Sequence, residues 1–120
     1  MINGKFYVAG GQGVAALDRY DPATDTWTTL APLPVASGAV GAVLQGKLYV
    51  VIGTPGGPRA YAYDPATNKW TPKAAPHWYH DDIVPITWGG KPFLLGVGGV
   101  HYDPENPYTL LSNPTEVYAP

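Results

Sequence analysis

The strongest constraint on this chain is a repeat. Gly4-Lys5-Phe6-Tyr7-Val8 recurs as Gly46-Lys47-Leu48-Tyr49-Val50, 42 residues on, and as Gly90-Lys91-Pro92-Phe93-Leu94 after a further 44. Tyr20-Asp21-Pro22-Ala23-Thr24-Asp25-Thr26-Trp27 recurs as Tyr63-Asp64-Pro65-Ala66-Thr67-Asn68-Lys69-Trp70, at an offset of 43. Pro32 and Pro76 also correspond. A period of this size, with several strand and turn signals per unit, specifies a four-stranded antiparallel blade.

Each part of the unit has a physical role. Lys47-Leu48-Tyr49-Val50-Val51-Ile52 is a continuous apolar run rich in β-branched and aromatic residues. Such a run suits a strand covered on both faces by neighbouring blades. Asp-Pro-Ala-Thr followed by Asp25 or Asn68 is turn chemistry: proline presets φ, and Asp or Asn tolerates left-handed backbone. Trp27 and Trp70 then open a further strand, where they are expected to wedge between blades. Gly10-Gly11 and Gly98-Gly99 end strands where the chain must bend or pack closely.

A Gly-Gly doublet after an apolar strand, then Tyr-Asp-Pro, then Trp resembles the kelch repeat. The resemblance covers nearly the whole chain. Gly4 to Trp27 matches best. The second copy has Ile52-Gly53 where the first has Gly10-Gly11, and the third keeps Gly98-Gly99 and Tyr118-Ala119-Pro120 but no tryptophan. The resemblance implies an all-β fold of kelch-type propeller blades in an incomplete ring. Residues 1–120 are expected to form one propeller fragment, with repeat 1 at about 1–36, repeat 2 at about 37–80 and a partial repeat 3 at about 81–120.

By the same resemblance, strands run A to D from the propeller axis outward. B, C and D of blade 1 fall at 5–10, 16–20 and 27–31. A to D of blade 2 fall at 37–44, 47–52, 59–63 and 70–74. A, B and C of blade 3 fall at 81–88, 91–96 and 114–118. Propellers have four to eight blades. A partial arc exposes strand edges and apolar end faces, which implies further blades of the same protein or self-association. Simple head-to-tail closure fits poorly, because too few residues separate Tyr118 from the Gly4 of a following copy to supply the absent strands. The reading therefore favours a fragment of a larger propeller, natural or excised.

Composition narrows the partners. The formal net charge of −2 gives no basic footprint for nucleic acid. The chain has no cysteine, which removes thiolate metal sites and disulfides and fits any compartment. No apolar run approaches a membrane span. Neither a cofactor nor a resident metal is expected. Gly11-Gln12-Gly13-Val14-Ala15-Ala16 mimics a dinucleotide fingerprint, but Pro22 follows too soon for the helix that fingerprint needs.

Function should sit in the loops. Strand alternation puts the D–A and B–C loops on one face and the tight A–B and C–D turns on the other. The first face carries His77-Trp78-Tyr79-His80-Asp81-Asp82, aligned with the bland Leu33-Pro34-Val35-Ala36-Ser37-Gly38. It also carries the long segment from His101 to Tyr108. The candidate binding residues are Arg59, His77, Trp78, Tyr79, His80, Asp82, His101 and Tyr102, a set in which aromatic and arginine anchors are prominent. A protein or carbohydrate ligand fits them. The two imidazoles lack the spacing of a metal framework. A non-catalytic binding module is favoured. The rival is part of a sugar-active kelch enzyme resembling sialic-acid mutarotases. A copper-oxidase relative would need a cysteine cross-linked to tyrosine, which this chain lacks.

Overall fold

The structure, a computed structural model, describes residues 1–102, 105 and 110–120, with only the backbone for 101, 102, 110 and 111. The described residues form twelve strands: β1 (Phe6–Ala9), β2 (Leu17–Asp21), β3 (Thr26–Thr29), β4 (Ala39–Leu44), β5 (Lys47–Ile52), β6 (Arg59–Asp64), β7 (Lys69–Lys73), β8 (Asp82–Trp88), β9 (Lys91–Val97), β10 (Val100–Tyr102), β11 (Leu110–Ser112) and β12 (Glu116–Tyr118). They pair antiparallel into a four-stranded sheet β4-β5-β6-β7, flanked by the three-stranded sheets β1-β2-β3 and β12-β9-β8. The sheets are kelch-type blades, and the strand order is the one the repeat predicts. The hairpin β10-β11 was not foreseen. It lies within the long loop of blade 3, its base closed by the Asn113 N–H on the Gly99 carbonyl.

Turn geometry explains why the hairpins form where they do. Asn3-Gly4, Gln45-Gly46 and Gly89-Gly90 each place two successive residues at positive φ, from 49° to 74°. That backbone matches the right-handed twist of a tight hairpin. The Tyr-Asp-Pro turns repeat in atomic detail. Asp21 accepts the Ala23 N–H at 3.0 Å and pairs with Lys5; Asp64 accepts the Ala66 N–H at 2.9 Å and pairs with Lys47 at 3.1 Å. The lysine beside each carboxyl, then the backbone bond, holds both below the usual carboxylate range. One carboxylate thus closes the turn and ties it to the start of the B strand.

Two cores lie between the sheets. Leu17, Leu48, Val50, Ile52, Tyr61 and Tyr63 fill the boundary between blades 1 and 2. Ala42, Tyr49, Val51, Ala62, Ile83 and Leu94 fill that between blades 2 and 3. Every residue of β5 after Lys47 is buried, as a strand covered on both faces requires.

Two expectations need correction. Trp27 and Trp70 are equivalent, opposite Tyr20 and Tyr63 with ring centroids 5.0 and 5.2 Å apart. Yet Trp27 is 62% exposed, whereas Trp70 is partly buried and donates its indole N–H to the Ala31 carbonyl at 2.8 Å. The indole wedges onto the preceding blade, and nothing in the described residues stands there for Trp27. Tyr118 is likewise not the register equivalent of Tyr63. It pairs with Leu94, which occupies the repeat position of Val50, the partner of Tyr61. The two-residue difference keeps the same face, so Tyr118 still points at blade 2.

Candidate functional site

The D–A and B–C loops gather at one end of the sheets, as strand alternation requires, and the tight turns at the other. The loop from β7 to β8 carries the polar and aromatic cluster. His77 projects into solvent, its side chain 89% exposed. Trp78 is 36% exposed, and Asp82 is exposed at the start of β8, accepting the Ile83 N–H. Arg59 is exposed where β6 begins. The side chains of His101 and Tyr102, and residues 103–104 and 106–109 of their loop, lie outside the described residues.

His80 and Tyr79 are placed differently from their neighbours. His80 has no exposed surface. Its ring lies over Gly96: a Cβ there would stand 2.2 Å from His80 Cδ2. Gly96 occupies the position that Ile52 fills in blade 2, so the imidazole takes the space of an apolar side chain. Nδ1 lies 3.1 Å from the Gly98 carbonyl and Nε2 3.5 Å from Glu116 Oε2. Both neighbours are acceptors, so the ring satisfies the first as an Nδ1–H donor. The Tyr79 ring packs on Gly53, and its carbonyl accepts the Asn113 amide. Burial, then the Asp81 charge, pushes its phenol up.

Glu116 organises the loop and was missed in the sequence. Its Oε1 meets His77 Nδ1 at 2.7 Å, and its Oε2 accepts the His77 N–H at 2.9 Å and also faces His80. Burial pushes its carboxyl up, but the His77 backbone and ring, His80 and the Trp78 N–H together hold it below the ordinary range. Asp81 accepts the Gly99 N–H at 2.8 Å, so both ends of the loop are pinned to blade 3. The only signal available was Gly96 standing in place of an apolar residue. These contacts make a rigid loop with His77, Trp78 and Asp82 on its outer side. Among the described residues no group of three or more potential ligands could hold a metal ion.

Stacked antiparallel blades, an indole wedged between two of them and an elaborated loop end define a propeller-type repeat protein. Residues 1–34 match the Kelch motif family. The chain is 37% identical over 62 residues to Kelch-like protein 15 of Danio rerio, covering 42% of this chain and 10% of that protein. It is 54% identical over 41 residues to Kelch-like protein 1 of Mus musculus, covering 33% of this chain and 6% of that protein. With Kelch-like protein 35 of Mus musculus it shares 39% identity over 57 residues, 43% of this chain and 10% of the relative. These matches, with the blades and their repeat, support a kelch-repeat family. The aligned segments span a tenth or less of the relatives' length.

Proposed function

We propose that the chain is a non-catalytic protein-interaction module whose loop end is the contact surface. One observation carries the reading: Arg59, His77, Trp78 and Asp82 are exposed at the same end, on loops anchored to rigid blades. Anchored aromatics and arginine contribute contact area at little ordering cost. His80, Tyr79 and Glu116 support that surface from beneath. His101 and Tyr102 belong to the same loop end by topology.

The end faces of the arc support a second part of the proposal. Phe6, Val8 and Trp27 are exposed on blade 1, and Val84, Trp88 and Val117 on blade 3. By the repeat, each set corresponds to one side of an interface that is buried within this chain. Further blades of the same protein, or a second copy, would cover them.

Site-specific photo-crosslinking tests the loop end. A crosslinker replacing Trp78 should capture a protein partner, and one replacing Thr24 on the tight-turn face should not. Capture from Thr24 alone would refute the reading. Trp78→Ala with His77→Ala should weaken the interaction of an identified partner at least about tenfold.

A further inference from the structure

Three positions change together between blades 2 and 3. Ala36, Ile52 and Arg59 of blade 2 correspond to His80, Gly96 and Glu116 of blade 3. The register supports the match, since Ile52 pairs with Arg59 and Gly96 with Glu116. A small residue becomes an imidazole where a large one becomes glycine, so the ring enters the core with little change in volume. The exchange also sets a titratable ring beside a carboxylate, which packing alone does not require. The ring is fully buried, and the Glu116 side chain is 15% exposed.

The contacts of His80 leave room for one more proton. Nδ1 lies 3.1 Å from the Gly98 carbonyl, an acceptor, so it carries a hydrogen. In the neutral ring Nε2 is then a bare lone pair. It faces Glu116 Oε2 at 3.5 Å, acceptor against acceptor. The same carboxylate is the hub of the loop between β7 and β8. Its two oxygens take the His77 N–H at 3.0 and 2.9 Å, and it also receives the His77 ring at 2.7 Å and the Trp78 N–H. The other ionisable groups around His80 are His77 and Asp81 of its own loop and Tyr118 of β12. Asp81 is held by the Gly99 N–H, and β9 beneath the ring presents Gly96. Among the described residues neither Glu116 nor Asp81 pairs with a lysine or arginine.

We propose that His80 and Glu116 form a proton-operated latch that fastens the loop carrying His77 and Trp78 to blade 3. A second proton, taken from solvent, turns Nε2 from acceptor to donor, and Nε2–H bonds Glu116 Oε2 across the gap. That bond is charge-assisted and shielded from water. Burial opposes a charged ring, but the opposite charge is already in place, and both ring N–H groups then have acceptors. The loop therefore tightens as pH falls through the histidine range. It is released only where Glu116 itself takes a proton, at lower pH still, because its carboxyl is held below the ordinary range. The latch acts whether or not a partner binds at the loop end.

Amide hydrogen exchange on the full chain, at about pH 5.5 and about pH 7.5 to span the histidine range, reads the latch. After correction for intrinsic rates, residues 77 and 78 should be at least about threefold better protected at the lower pH, the scale of one net hydrogen bond. Nitrogen-15 spectra of the rings should show His80 as the Nδ1–H tautomer at the higher pH and doubly protonated at the lower. In His77→Gln both effects should persist, because the backbone N–H of residue 77 still reaches Glu116. In Glu116→Gln the gain in protection should vanish. A His80 ring that stays neutral at the lower pH, or protection that falls on acidification, would overturn the proposal. So would a gain that is lost in His77→Gln, or one that survives in Glu116→Gln. The ring spectrum and the exchange of the parent chain need no substitution, so the test does not hang on the folding of a variant.

Discussion

Replacing Trp70 and Trp27 in turn with alanine separates blade packing from strand propensity. The two residues have the same type, strand position and tyrosine partner, and differ in what lies across the blade boundary. A fully buried indole removes about 200 Å² from water, worth about 5 kcal/mol at ~25 cal/mol per Å². Trp70 is mostly covered, and residual denatured-state burial trims its share to about 2.5–3 kcal/mol. Its hydrogen bond to the Ala31 carbonyl adds about 1 kcal/mol. Trp70→Ala should therefore cost about 3–4 kcal/mol. Trp27 is 62% exposed, so its loss should cost about 1 kcal/mol. Urea titration followed by far-ultraviolet circular dichroism measures both on one scale. Trp70→Phe keeps most of the apolar area and isolates the hydrogen bond. Equal costs for the two alanine variants, or a cost below about 1 kcal/mol for Trp70→Ala, would refute the inter-blade wedge.

Three further outcomes follow from the same contacts. Gly96→Ala should destabilise by about 1–3 kcal/mol, because the new methyl group must displace the buried His80 ring; a neutral result in the same titration would contradict that packing. Glu116 has a carboxyl held below its ordinary value, so its stabilisation is present above the unfolded pKa and fades as pH falls through the lower folded one. Melting temperatures measured below about pH 5 should accordingly fall less steeply for Glu116→Gln than for the parent chain. Light scattering at micromolar concentration should show association through the apolar end faces, and a stable monomer with cooperative unfolding would count against it.

The repeat made most of the fold legible. The Gly-Lys and Tyr-Asp-Pro-Ala-Thr segments encode turns locally, through positive φ and a carboxylate that bonds two residues ahead. Strand limits and pairing could therefore be read without any long-range information. The apolar run from Leu48 to Ile52 likewise announced a strand covered on both faces. Register in blade 3 was not legible, because the Tyr118-Ala119-Pro120 motif sits two residues from its apparent match. A shift of two preserves the buried face, so hydrophobic pattern alone does not distinguish the alternatives.

The loop end divides in the same way. Chain order alone placed His77, Trp78 and Asp82 at the loop end, where all three are exposed. Only the tertiary structure turned His80 inward, since its burial depends on the space above Gly96 and on Glu116, 36 residues away in sequence. The two tryptophans carry the same lesson. Their shared Tyr-Asp-Pro-Ala-Thr turn determined equivalent strand positions and equivalent tyrosine partners. Whether an indole is buried was decided by the neighbouring blade, because burial is a property of the surface across the boundary and no local pattern contains it.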